Sequence, residues 1–117
     1  MIPTTDLEIS RKLEKIIKKE SLFIWAHHTF PTRVSRDMAF AQGFPFLSPA
    51  YTTDEILDAL PSEVWIEKER RVLTIQKYKH TYRVGYYIDY FNLPILVSAL
   101  GSLLIWCKEN GYLEDGK

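Results

Sequence analysis

A small α+β domain is the fold expected of this 117-residue chain, on three observations. An amphipathic stretch with a capping signal lies near the start, three segments of alternating apolar and polar residues occupy 64–88, and a long apolar run closed by Asn110-Gly111 lies near the end. The length supports one hydrophobic core and not two. With 46% hydrophobic and 26% charged residues the composition is that of a folded globular protein, which excludes disordered and fibrous classes.

Thr5 and Glu8 stand at capping-box spacing, where hydroxyl and carboxylate satisfy free amides at a helix start. Ile9, Leu13, Ile16 and Ile17 recur at helical spacing among Arg11, Lys12, Glu14, Lys15, Lys18 and Lys19. An N-terminal amphipathic helix of about four turns with a basic outer face is therefore expected. Residues 21–26, Ser-Leu-Phe-Ile-Trp-Ala, are aromatic and β-branched and predict a first strand. From 27 to 49 the pattern is broken by Pro31, Gly43, Pro45 and Pro49, so an irregular insertion is expected, with one further strand within 34–42. Its Phe40, Phe44, Phe46 and Leu47 are too apolar for a free loop and place it over the core or in a contact surface.

Thr52 and Glu55 repeat the capping-box spacing, and Ile56, Leu57 and Leu60 form the apolar face of a helix of about two turns that Pro61 ends. Val64 and Ile66 alternate with Trp65 and Glu67. The charged turn Lys68-Glu69-Arg70-Arg71 leads into a strand at 72–78, and Lys79-His80-Thr81 turns the chain into another at 82–88. On the last, Tyr82, Val84, Tyr86 and Ile88 face one side and Arg83, Gly85, Tyr87 and Asp89 the other. Connections this short join antiparallel neighbours, which gives a three-stranded meander. Asn92 is the expected cap of the C-terminal helix, with Pro94 in its first turn and Gly111 as its left-handed stop. Its apolar residues, among them Leu96, Leu100, Leu103 and Trp106, occupy more than one face. This helix must be covered on two sides, by the sheet and by either the first helix or a second subunit. The whole chain, 1–117, is read as one domain.

Fifteen basic and fifteen acidic side chains cancel, so the strong positive footprint of a dedicated nucleic-acid binder is absent from the global charge. The start lacks the cationic and apolar regions of a secretion signal, which predicts a cytoplasmic protein. The run 93–107 falls short of the roughly 20 apolar residues that span a bilayer, so no membrane association is expected. Cys107, the single cysteine, sits in that run as a small buried residue.

No catalytic, cofactor-binding or metal-ligating residues are assigned. His27 and His28, adjacent on a strand, point to opposite faces, and His80 has no companion ligands nearby in sequence. No nucleophile elbow and no glycine-rich phosphate loop is present. Asp54, Glu55 and Asp58 are explained by the helix macrodipole at the start of their helix. Two binding readings follow. The first is a non-enzymatic protein-interaction module, binding a protein partner or a second copy as a homodimer. Trp25, Phe44, Phe46 and Trp65 are its anchors, as large aromatics outside the clear core pattern. The second is a nucleic-acid binder that uses the basic and aromatic segment 68–87. Lys68, Arg70, Arg71, Lys77, Lys79 and Arg83 would hold phosphates there, among Tyr78, Tyr82, Tyr86 and Tyr87.

Three strings complete the reading: Glu20-Ser21-Leu22-Phe23-Ile24-Trp25, the run 48–57 with Leu60-Pro61, and 99–113 ending Asn110-Gly111-Tyr112-Leu113. On these the chain resembles a group of small uncharacterised proteins of bacteriophages, prophages and bacterial mobile elements. The resemblance implies a bacterial or phage setting and a cytoplasmic accessory role, and transfers no catalytic or binding residue.

Overall fold

The computed structural model describes residues 3–27, 31–86 and 90–113, without the side chain of His27. The first helix, α1, spans Leu7–Leu13 and is capped by Asp6, whose carboxylate accepts from the Ile9 amide at 2.8 Å. The expected cap, Thr5, is one residue too early for a physical reason. Its hydroxyl lies 2.6 Å from the Ser10 hydroxyl and accepts from the Tyr51 amide at 3.2 Å, so it is spent on fastening the N-terminal segment to the core. The helix is also shorter than the expected four turns: the chain leaves it at Glu14 and continues through turns that still bury Ile17.

The segment expected to be irregular is mostly regular. β1 (Phe23–His27) is the central strand of an antiparallel sheet between β2 (Pro31–Ser35) and β3 (Phe46–Ala50). Where the sequence predicted a strand within 34–42, a short helix, α2 (Arg36–Gln42), follows β2. Its limits are chemically explicit: the Ser35 hydroxyl accepts from the Met38 amide at 3.2 Å, and Gly43 ends it at φ 69°. A side-chain oxygen at the N-cap and a left-handed glycine at the other end overrode the strand-like composition. Ile24, Ala26 and Ala39, with Val34 and Phe44 against them, make a minor core between this sheet and α2.

α3 (Thr53–Ala59) has the full capping box that the sequence predicted, with the Thr52 amide donating to Glu55 Oε1 at 2.8 Å and the Glu55 amide to the Thr52 hydroxyl at 3.3 Å. Glu55 Oε2 also accepts from the Leu22 amide, which ties this helix start to the entry of β1. The expected meander is replaced by two sheets. β4 (Glu63–Ile66) and β5 (Glu69–Val72) form a separate hairpin, because the turn is only Glu67-Lys68 and the charged residues after it are already strand. The chain then breaks at Leu73, whose amide donates to the Ser62 carbonyl. β6 (Thr74–Lys77), β7 (Tyr82–Gly85) and β8 (Tyr90–Leu93) build a three-stranded antiparallel sheet in that order. β8 contains Asn92, the expected helix cap, which pairs instead with Arg83. The alternation expected along β7 holds for Tyr82 to Tyr86; Tyr87, Ile88 and Asp89 lie outside the described residues.

α4 (Leu96–Glu109) starts after Ile95, with no side-chain cap, and Pro94 stands outside it. It ends as expected at Gly111, φ 76°, where the Tyr112 amide donates to the Cys107 carbonyl and the Gly111 amide to the Lys108 carbonyl. That pair of bonds is the Schellman arrangement. Two-sided cover is present within the one chain: α1 and α3 pack on one flank of α4, and β7 and β8 on the other. Leu100, Leu103, Leu104 and Cys107 are fully buried between them, with Leu13, Ile56, Val84 and Tyr86. The result is an α+β fold with its main core around the C-terminal helix, flattened to 51 × 38 × 18 Å.

Candidate functional site

Burial governs the titratable groups of the main core. Desolvation pushes the Cys107 thiol up to about 11, with the neighbouring Tyr86 hydroxyl a weaker opposing influence. The thiol is protonated and fully enclosed, so it is neither nucleophile nor metal ligand here. The Tyr86 hydroxyl donates to the Pro61 carbonyl, and burial followed by the neighbouring Cys107 drives its ionisation far above the ordinary phenol range. Burial, with Glu14 and Glu55 adding to it, also raises Tyr51 to about 12. Among the described residues no group of three or more His, Cys, Asp or Glu side chains could hold a metal ion. The side chain of His27 and all of His28 lie outside the described residues. No helix of the described residues is long and apolar enough to cross a membrane.

An open groove of about 850 Å³ lies between the segment after α1, the end of α3 and the end of α4. Lys15, Lys18 and Lys108 on its rim are balanced by Glu55, Asp58 and Glu63, and its floor is Ile16, Ile17, Leu60 and Pro61. Glu55 is already committed to two backbone amides, and no histidine, serine or cysteine lines the groove. It has neither a dominant charge nor a nucleophile.

The six cations of the nucleic-acid reading are dispersed. Register puts Arg70 opposite Trp65 and Arg71 opposite Val64, so the two arginines point to opposite faces of the hairpin. Each is ion-paired, Arg70 with Glu63 and Arg71 with Glu69. Lys77 and Arg83 belong to the other sheet. Lys77 lies on the face of Tyr82, with its ammonium 6.0 Å from that ring centroid. Arg83 lies on the opposite face, with its guanidinium carbon 3.8 Å over the Tyr90 ring. Lys68 and Lys79 are exposed in turns. Two sheets and both of their faces are involved, and no single stripe collects these charges.

The four aromatic anchors divide. Trp25 is turned inward: its indole donates to the Thr5 carbonyl at 3.1 Å. Phe44 packs on the minor core. Trp65 is 62% exposed on the hairpin face that also carries Arg70 and Val72. Phe46 is 50% exposed, and a β-bulge is the reason for its direction. Ser48 pairs with Trp25 but Phe46 pairs with Ala26, so one residue of β3, Leu47, is skipped. That slip aims Phe46 to the face of Ile24 and Ala26.

On that face the structure adds residues that the sequence reading did not choose as anchors. α2 lies over β1 and β2 and stops short of the β3 side. Between α2 and β3 a dimple of about 60 Å³ is lined by Ile24, Ala39, Phe44 and the rings of Phe40 and Phe46, with Arg36 at its edge. Phe40 is 78% exposed, the most exposed of the large apolar residues described. Arg36 and Phe40 are one helical turn apart on the same flank of α2. Arg36 is held in place by donating from Nε to the Ser21 carbonyl at 2.9 Å. The readable signal for this surface was Ser35 and Gly43 bracketing seven residues, which fixes a helix and hence the flank on which Phe40 stands. No protein-family model matches the chain, and no curated protein or solved structure does.

Proposed function

We propose that the protein is a non-enzymatic interaction module that docks a protein partner through the α2–β3 face. The observation that supports this is the pair Phe40 and Phe46 on the rim of an apolar dimple over a minor core that has three buried residues among those described. Exposed rings beside a fixed arginine are the residue types that dominate binding energy at protein interfaces. A nucleic acid would find no concentration of free cations on this face, and a small molecule would find about 60 Å³, well below the ~300 Å³ of ordinary ligand pockets. The proposed setting is the bacterial cytoplasm, as an accessory protein of a phage or mobile element. That part rests on the sequence resemblance.

The test is photo-crosslinking of the full chain in a bacterial cytoplasm, with benzoylphenylalanine replacing Phe40 and, as control, Lys12. The expected result is a discrete protein adduct from position 40 and none from position 12. No adduct at position 40 would overturn the proposal.

A further inference from the structure

Beyond the α2–β3 face, and independently of it, we infer that Arg83 anchors a binding site for a carboxylate on the outer face of the β6–β8 sheet. Strand register divides that sheet into two faces. Val84 and Phe91 belong to the face packed on the main core, whereas Thr74, Gln76, Arg83, Gly85, Tyr90 and Asn92 share the other. The outer face carries one cation and no acidic residue.

That cation is held differently from the arginines of the other sheets and of α2. Arg70 and Arg71 are each paired with a glutamate, Arg36 donates to Ser21 and Arg33 to Thr4. Arg83 has a ring in place of an acceptor: its guanidinium carbon lies 3.8 Å over the Tyr90 centroid, and among the described residues it forms no ion pair. Tyr90 stands opposite Gly85, so no side chain separates its ring from Arg83. Face contact with a ring fixes a guanidinium and leaves its in-plane donors unused. The Nε atom is shut off from solvent with no hydrogen-bond partner among the described residues, while the two Nη atoms are not enclosed in that way and form the open edge. A charged donor withdrawn from water without an acceptor is destabilising, and such a group calls for a reason. A carboxylate on the Nη edge supplies one, because it neutralises the charge.

The neighbours of Arg83 complete the site. Gln76 and Asn92 are its direct cross-strand partners, one on each side, and both are exposed. Side chains so placed have Cβ atoms about 4.5–5.5 Å apart, within reach of one small group held between them. A carboxylate offers about four acceptor positions. The two Nη atoms fill two of them in the bidentate manner of this pair, and the amides of Gln76 and Asn92 supply one donor each. Charge matches as well. One guanidinium balances one carboxylate, whereas a phosphate dianion would stay half-compensated among neutral amides. An acidic side chain of a protein and a small organic acid both carry the required group.

Nuclear magnetic resonance of the isotope-labelled full chain at neutral pH and low salt tests the inference. The probes are acetate, the peptide acetyl-Ala-Glu-Ala-amide, its glutamine counterpart and inorganic phosphate. The Arg83 Nε–H signal and the side-chain amide signals of Gln76 and Asn92 are expected to move together, saturably, with both carboxylates and to stay in place with the glutamine peptide. A glutamate peptide that saturates at roughly tenfold lower concentration than acetate assigns the source as an acidic side chain, and equal concentrations assign it as a small acid. Arg83→Lys keeps the charge but loses the fork and should weaken binding about tenfold; Asn92→Ala, a change at an exposed side chain, should weaken it about fivefold. The spectra of the variants verify their folding. No movement with either carboxylate overturns the inference, as do equal movements with the glutamine peptide, saturation by phosphate at a lower concentration than by acetate, or unchanged affinity in both folded variants.

Discussion

Replacing Gly101 by alanine tests the architecture at its tightest point. In isolation the change should stabilise α4, since alanine in a helix interior is favoured over glycine by about 1 kcal/mol. Here the added methyl would stand 2.9 Å from Ile9 Cγ2, and 3.4 Å from both Leu13 Cδ1 and Thr5 Cγ2. Carbon atoms pack best at about 3.5–4.0 Å, so α1 must retreat by more than half an ångström or Ile9 must leave its rotamer. Overpacking of this kind costs ~1–3 kcal/mol, and Thr5 cannot yield freely because it is bonded to both Ser10 and Tyr51. We expect a net loss of about 1 kcal/mol, read by urea denaturation followed at 222 nm. Ile9→Ala removes the atom that the methyl meets. The double variant should therefore be more stable than the sum of the two single effects by about 1 kcal/mol, a coupling typical of residues in contact. If Gly101→Ala instead raised stability by the whole helix-propensity gain, α1 and α4 would not cross where we place them.

Three further outcomes are expected. Tyr86→Phe strips the Pro61 carbonyl of its buried donor and should cost about 1–3 kcal/mol with little change in the circular dichroism spectrum; an unchanged urea midpoint would refute the bond. Lys68→Gly should stabilise the protein by about 1 kcal/mol, because Glu67 and Lys68 form the β4–β5 turn with φ of 51° and 67°, a left-handed conformation in which a side chain is strained and glycine is not; a loss in urea denaturation would contradict that geometry. Stability should fall on the alkaline side. Cys107 and Tyr51 are protonated in the fold up to about 11 and about 12, against ordinary values of 9.0 and 10.0, and Tyr86 holds its proton higher still. Their contribution is complete below about pH 9 and is lost as pH rises through those windows, by up to about 1.4 kcal/mol per pH unit for each group. Phenolate absorbance should show Tyr51 and Tyr86 titrating only as the fold is lost, and free titration of all seven tyrosines in folded protein near pH 10 would refute it.

Legibility in the sequence followed the reach of the interactions. α3 was readable because Thr52 and Glu55 bond to each other's backbone within four residues. The end of α4 was readable because the Gly111 amide bonds to the Lys108 carbonyl and the Tyr112 amide to the Cys107 carbonyl, three and five positions back. The start of α1 was misplaced by one residue because Thr5 answers to Tyr51, a partner 46 positions away. β8 was hidden for a similar reason: Phe91 is strand because Val84 lies opposite it, while Asn92 and Pro94 locally resemble a helix start. The split of the expected meander turned on a two-residue turn built from Glu67 and Lys68, residues that do not ordinarily adopt positive φ. Of the candidate anchors, Trp25 could not be excluded from sequence, since the carbonyl that accepts its indole proton belongs to Thr5.

The two halves of the molecule build cores of very different size, and that contrast supports the docking reading. Around α4 fourteen buried residues form one cluster, supplied by three helices, the β4 strand and the β6–β8 sheet, with Trp65, Val72, Ile75, Tyr78 and Ile95 left exposed at its margins. Around β1 a three-stranded sheet receives a helix of seven residues, and the hydrophobic cluster between them holds, among the described residues, three buried side chains, Ile24, Ala26 and Ala39. Were the purpose of α2 to close a core, an alanine-poor face with Phe40 directed inward would do so at no cost in length. Instead Ala39 faces the sheet and Phe40 faces water. The β3 bulge acts in the same direction, since without it Phe46 would turn to the side of Trp25, against α1, where the N-terminal segment gives cover. Two independent local choices, the helical phase of α2 and the register slip of β3, thus place the exposed rings of Phe40 and Phe46 on one face. A fully exposed ring forgoes roughly 1.5–3 kcal/mol of burial and a half-exposed one about half of that, a cost that docking on this face would return.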